Sequence, residues 1–345
     1  MKKTLLAFFF LSFIAAQTQT EKHWKTLEQL TFGGDNAEAY FSPQSDQFCF
    51  QSNFKKWGAD CDQIFLYQLQ SGKRDSNFIP KRISSGKGRT TCSYFLPNGK
   101  NILYASTFLS GDSCPLVVHI KGKYLWPVYE SYEIFVADLK GKIVKQLTRS
   151  PGYDAEATVS PNGDKIVFTS TRSGDLELWT MDLNGENLKQ LTFELGYDGG
   201  AFFSPDGKEI VFRASRPTTE VEITEYKDFL KKGLVAPSKL EIFVCNADGS
   251  NMRQITHLGK ANWAPFFHPS GKKIIFSSNH HSDKGYDFQL FMIHLDGTGL
   301  EQITSESNFN AFPMFSPDGK RLIFSSNRNN GGTHDTNLFI ADWKD

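Results

Sequence analysis

Short apolar runs separated by Pro-Gly turns recur along the chain from about residue 25 to its end. The turns read Phe41-Ser42-Pro43, Phe95-Leu96-Pro97-Asn98-Gly99, Val159-Ser160-Pro161-Asn162-Gly163, Phe203-Ser204-Pro205-Asp206-Gly207, Phe267-His268-Pro269-Ser270-Gly271 and Phe315-Ser316-Pro317-Asp318-Gly319. Proline presets φ at the second turn position and glycine takes the positive φ that follows, so each copy predicts a tight hairpin. The first copy continues as Gln44-Ser45 and lacks the glycine. Successive prolines stand 54, 64, 44, 64 and 48 residues apart. The shortest spacing matches the roughly 40–50 residues of a propeller blade.

Four strand signals fill each repeat. An apolar strand precedes the turn. A run rich in β-branched and aromatic residues follows it, as in Lys165-Ile166-Val167-Phe168-Thr169-Ser170 and Arg321-Leu322-Ile323-Phe324-Ser325-Ser326. The third strand reads Glu133-Ile134-Phe135-Val136, Glu241-Ile242-Phe243-Val244 or Asn337-Leu338-Phe339-Ile340. The fourth reads Lys189-Gln190-Leu191-Thr192, Arg253-Gln254-Ile255-Thr256 or Glu301-Gln302-Ile303-Thr304. One such sheet cannot bury both its apolar faces, whereas six arranged radially can. The sixth repeat ends after its third strand, and Leu27-Glu28-Gln29-Leu30-Thr31 nearly copies Leu300-Glu301-Gln302-Ile303-Thr304. The pattern therefore predicts an all-β chain: a six-bladed β-propeller of four-stranded antiparallel blades, with the N-terminal strand completing the last blade.

The motifs are specific enough to suggest a family. The Ser-Pro-Asp-Gly-Lys turns at 204–208 and 316–320, Phe324-Ser325-Ser326-Asn327-Arg328, Ile242-Phe243-Val244 and Asp248-Gly249-Ser250 resemble the repeat of TolB-like β-propellers. The resemblance covers roughly residues 25–345 and implies a propeller of the bacterial envelope. TolB itself adds an N-terminal α/β domain and works by protein–protein contact in the Tol-Pal complex. Residues 17–24 leave no space for such a domain, so only the propeller is expected to carry over. Fold does not settle activity, because propellers host many.

The first residues read as an address. Lys2 and Lys3 precede an apolar stretch over residues 5–16 that is too short to span a bilayer, followed by the polar Gln17-Thr18-Gln19-Thr20. This predicts a signal peptide at 1–16, a leader at 17–24 and one propeller domain at 25–345. The mature chain is expected in the periplasm or outside the cell, as a monomer without a membrane span. Lys and Arg total 38, as do Asp and Glu. Without a basic excess, nucleic acid is excluded as a partner. Export permits a disulfide among Cys61, Cys92 and Cys114, while Cys49 and Cys245 lie in apolar strand patterns suited to the core.

Elaboration falls on one face. The connections between second and third strands span 53–62, 107–131, 171–175, 216–239, 279–288 and 327–336. Inserted loops on a rigid scaffold are where function tends to reside. In the fourth repeat, Thr219 and Glu222 form a capping box and Gly233 is a stop, which predicts a helix packing Ile223, Tyr226, Phe229 and Leu230. In the second, Trp126 and Tyr129 are candidates to stack on a sugar or peptide, or to pack on the rim.

Seven positions before each turn proline stand Asn36, Thr90, Asp154, Asp198, Asn262 and Asn310. Such a ring, with Glu38, Glu156 and Arg89 beside it, offers converging oxygens to a ligand or to Ca²⁺ or another divalent cation, the single cofactor candidate. The competing role is to satisfy local backbone N–H groups. Arg172, Arg216, His280, His281 and Arg328 follow second strands and are placed to reach over the mouth. No nucleophile elbow, zinc-protease or phosphate-loop motif is present. Two expectations follow. One is a scaffold binding an envelope protein, peptide or carbohydrate on the loop-rich face. The other is a carbohydrate-active lyase or glycosidase with Glu38, Glu156, Asp154 and Asp198 as axial acids and bases.

Overall fold

The computed structural model describes residues 21–69 and 77–344. The signal-peptide segment at 1–16 and most of the leader lie outside the described residues. Six four-stranded antiparallel sheets surround one axis. The innermost strands are Asn36–Phe41, Thr90–Phe95, Asp154–Val159, Asp198–Phe203, Asn262–Phe267 and Asn310–Phe315. Each leads through its proline turn to a second strand and then to a third. The first turn also forms, with the Ser45 N–H donating to Ser42 O at 2.9 Å and Ser45 taking the glycine-like φ of 58°. Trp24–Gln29 pairs with Asn337–Trp343, Leu27 opposite Ala341 and Gln29 opposite Phe339, so the sixth sheet joins both ends of the chain.

Aromatic pairs across the second and third strands account for ten of the 31 phenylalanines. Second and third strands place Phe50 opposite Phe65, Tyr104 opposite Phe135, Phe168 opposite Trp179, Phe212 opposite Phe243, Phe276 opposite Phe291 and Phe324 opposite Phe339. Facing aromatic pairs add about 0.2–1 kcal/mol each over alanine, in addition to what their burial contributes.

The fourth-strand motif Gln-x-Thr has a mechanical reason. The outer strand is only two residues long in four blades, as at Lys189–Gln190 and Arg253–Gln254. Where it peels away, the threonine hydroxyl accepts the third-strand N–H: Ile134 to Thr148, Leu178 to Thr192, Ile242 to Thr256, Leu290 to Thr304 and Leu338 to Thr31, each at 2.8 Å. The glutamine side chain then ties the threonine carbonyl, as from Gln254 at 2.7 Å. A buried donor that would otherwise be orphaned is thereby satisfied.

The single α-helix among the described residues, Glu220–Leu230, lies in the blade-four insertion. Thr219 accepts from Glu222 N and the Glu222 carboxylate accepts from Thr219 N, closing the capping box. Tyr226 and Phe229 are buried and Leu230 half-buried, while Val221 stays exposed. Leu234–Val235, just beyond the helix, forms a two-residue ladder with Trp126–Pro127 of the blade-two insertion. The two largest loops are thus zipped together over the top of the wheel. Cys61 and Cys114 form a disulfide that ties the second loop to blade one. Cys49 and Cys245 are buried thiols, pushed up to about 12 by burial.

Candidate functional site

The residues that open the innermost strands are fully buried and bonded within the protein. The Asn36 amide donates to Gly33 O, Gly34 O and Thr336 O. Thr90 shares a hydrogen bond with Ser106, Asn262 donates to Leu240 O and Gly259 O, and Asn310 donates to Gln289 and Glu306 O. Arg172 holds both carboxylate oxygens of Asp154 at 2.9 Å, and Arg216 holds Asp198 through both terminal nitrogens, at 2.5 and 3.2 Å, while its Nε donates to Glu194 at 2.9 Å. Burial raises Asp198 against the pull of Arg216, and likewise raises its neighbour Glu177.

The arginines after the second strands therefore fold back onto their own blades. Arg172 lies 5.2 Å from the Phe168 and Trp179 rings, Arg216 5.0 Å from Phe243, and Arg328 5.2 Å from Phe324. His280 packs on Phe291 in the equivalent place, its ring tilted by 58° with centroids 4.4 Å apart. Arg328 also binds the Glu21 carboxylate, both nitrogens at 3.0 Å, and donates to Asn310 at 3.0 Å. Arg89 pairs with Asp62 between blades one and two.

The axis itself is lined two residues further along each strand. Glu38, Cys92, Glu156, Gly200, Ala264 and Phe312 carry φ of 52°, 50°, 57°, 59°, 49° and 55°, one per blade, each within a break in ladder register. This bulge turns all six toward an axial cavity of about 30 Å³. Holding a non-glycine residue there costs on the order of 1 kcal/mol each, which the surrounding blades must offset.

One side chain absent from the sequence reading dominates this cavity. Arg213 donates to Glu156 at 2.6 Å and to the Tyr197 hydroxyl at 2.5 Å, and Tyr197 donates to Glu156 at 2.6 Å. Thr169 and Gly200 N complete the carboxylate's shell, both at 2.8 Å. Glycines make the pair possible. A Cβ on Gly200 would stand 2.0 Å from Arg213 Nη1, and one on Gly199 2.3 Å from Glu156 Oε2. The signal was present: Gly199-Gly200 faces Arg213 where other second strands carry Gln51, Ala105, Thr169, Ser277 or Ser325. Glu38 shares the cavity, and burial pushes it up to about 7 although Cys92 and Arg213 pull it down.

Above the pair, Trp126 closes the axis. Its ring lies 5.1 Å from the Arg213 guanidinium, 5.3 Å from Trp263 and 6.5 Å from Tyr197. Below, Tyr40, Tyr94, Phe202 and Phe266 form a belt with centroids 5.2–5.6 Å apart along Tyr94–Tyr40–Phe202–Phe266. Past the belt, the six turn prolines surround an apolar funnel of about 330 Å³ on the opposite face.

A further opening lies on the loop-rich face. A cleft of about 550 Å³ runs between the helix, the blade-two insertion and the top loops of blade three. Val128, Leu195 and Leu230 supply apolar surface, Glu130 stands on the insertion, and Lys227 and Lys231 stand one helical turn apart. Tyr226 lines it too, but its hydroxyl is engaged by Asp175.

Residues 128–232 and 231–339 match the model of the TolB β-propeller domain. The chain belongs to the TolB β-propeller family. Solved TolB structures are similar in fold. A protein assigned as TolB in Agrobacterium tumefaciens shares 18% identity over 90% of this chain and 91% of its own, with a TM-score of 0.58. TolB from Acinetobacter baumannii shares 18% over 91% of this chain and 64% of its own, with a TM-score of 0.55. An oligogalacturonate lyase from Vibrio parahaemolyticus shares 10% over 92% and 96%, with a TM-score of 0.53.

In this TolB-family propeller, no group of three or more His, Cys, Asp or Glu side chains converges on a metal position among the described residues. The carboxylates foreseen as cation ligands, Asp154, Asp198 and Glu156, face arginines instead. No described helix is long and apolar enough to cross a membrane.

Proposed function

We propose that this chain is an exported, monomeric binding module of the cell envelope whose ligand, a protein segment, peptide or carbohydrate, sits in the cleft beside the helix. The observation that carries this reading is the cleft's construction. It is a cavity of about 550 Å³ enclosed by the helix insertion, the disulfide-anchored blade-two loop and the top loops of blade three. Binding sites are typically concave, mostly apolar and set with a few polar groups, and about 300–1,000 Å³ is their usual size. In this reading Asn36, Asp154, Asp198, Asn262, Asn310, Arg172, Arg216 and Arg328 hold the loops around the mouth in place rather than touch the ligand. Glu38, Glu156 and Arg213 act beneath Trp126 as a polar keystone. The test is a peptide and glycan binding screen on wild type and Leu195→Trp, which narrows the cleft. A ligand lost in the variant at unchanged melting temperature supports the site; a ligand set bound equally by both removes it.

One observation favours a second reading, a carbohydrate-active enzyme. Glu38 titrates near neutrality beside a charged Glu156–Arg213 pair, as an acid/base group should. Against it, an axial cavity of about 30 Å³ holds only a water or two. Incubation with oligogalacturonate, with and without Ca²⁺ or Mn²⁺, decides the matter. Turnover abolished by Glu38→Gln would establish the enzyme, and no turnover would remove oligogalacturonate as its substrate.

A further inference from the structure

We infer that the ligand of the helix cleft is a short peptide, held by a carboxylate at the Lys227–Lys231 wall and by a basic group at Glu130. This rests on the cleft being the binding site. The three charged residues are all exposed and make no ion pair among the described residues, unlike their neighbours Lys123 and Glu225, which pair with each other. Unpaired charges of both signs lining one cleft complement a ligand that itself carries both signs. Apolar surface from Val128, Leu195 and Leu230 contacts what lies between them. A volume near 550 Å³ is that of a few amino-acid residues. A neutral sugar fits less well. Sugar sites offer an open aromatic face, whereas Tyr226 is buried with its hydroxyl on Asp175, and Trp126 is packed on Arg213 and Trp263. Two lysines four apart on a helix also suit a carboxylate better than a single cation would, since each adds a charge-assisted hydrogen bond.

The test is selection of random heptapeptides displayed on phage against the intact protein, alongside a neutral-glycan array. Binders are synthesised and titrated calorimetrically against wild type, Lys227→Glu/Lys231→Glu, Glu130→Lys, and Lys320→Glu on the opposite face as a control. The charge-changed positions are all exposed, Leu195→Trp at the half-buried Leu195 is titrated alongside them, and circular dichroism confirms the folding of every variant. Selected peptides are expected to carry an acidic side chain or free C-terminus together with Lys or Arg. Affinity should fall at least tenfold in the double variant, fall in Glu130→Lys, and hold in Lys320→Glu. Weakening at high salt is also expected. Peptides indifferent to both cleft variants overturn the peptide assignment. A neutral glycan lost in Leu195→Trp but not in the charge variants overturns it while leaving the cleft as the site. If no ligand of either class responds to any cleft variant, both readings fall.

Discussion

Replacing Glu38 by Gln should stabilise the protein at neutral pH and leave it unchanged in acid. Glu38 titrates at about 7 in the folded chain against an ordinary 4.5, and its burial in the axial cavity is the main cause. A raised folded-state pKa means that its contribution to stability is full below 4.5 and is lost progressively up to about 7. Above 7 the folded protein carries a buried charge at a disadvantage of about 3 kcal/mol, taking about 1.4 kcal/mol for each tenfold difference in acidity. Glutamine keeps the shape and cannot ionise. The difference in unfolding free energy between Glu38→Gln and wild type should therefore be near zero at pH 4.5, climb through pH 6, and level off above 7. Urea titrations followed by tryptophan fluorescence, run on both proteins at each pH, measure that difference. A flat difference across the range, or destabilisation at pH 8, would refute the claim that burial dominates over the pull of Arg213.

Removing Arg213 should cost about 3–5 kcal/mol, because Glu156 would be left as an uncompensated charge in the axis; chemical denaturation of Arg213→Ala reads it. Gly200→Ala should be far more damaging than Gly259→Ala. Both have positive φ, but only the first places a Cβ against the guanidinium, whereas Gly259 has open space; paired melting curves give the comparison. Cys61→Ser should lower stability by up to about 4 kcal/mol, the chain-entropy figure for a crosslink spanning 53 residues, and reductant should have no further effect on that variant.

Local chemistry explains which parts of this fold could be read from the chain. The Pro-Asp-Gly turns, the Thr219–Glu222 cap and the Gln-x-Thr ends are decided within a few residues, so their residue types announce them. The axial lining is different. Six unlike residues, Glu38, Cys92, Glu156, Gly200, Ala264 and Phe312, share a left-handed bulge that no residue type marks, and only the repeat alignment puts them in register. The polar ring seen two positions earlier is real as a pattern, yet its members are buried in turns and arginine pairs. Arg213 stayed hidden because its partner Glu156 comes from another blade. Trp126 owes its place to a ladder with Leu234–Val235, more than a hundred residues away. The Cys61–Cys114 pairing likewise depends on how two insertions lie together, which spacing leaves open.

The most direct test of the binding account is a crystallographic fragment screen of the intact protein, using a mixed set of amino-acid derivatives, dipeptides and monosaccharides. The account predicts fragment density clustered between Lys227, Lys231, Glu130 and Leu195. Fragments gathered instead in the proline-lined funnel, or beneath a displaced Trp126 against Glu38 and Glu156, would contradict it.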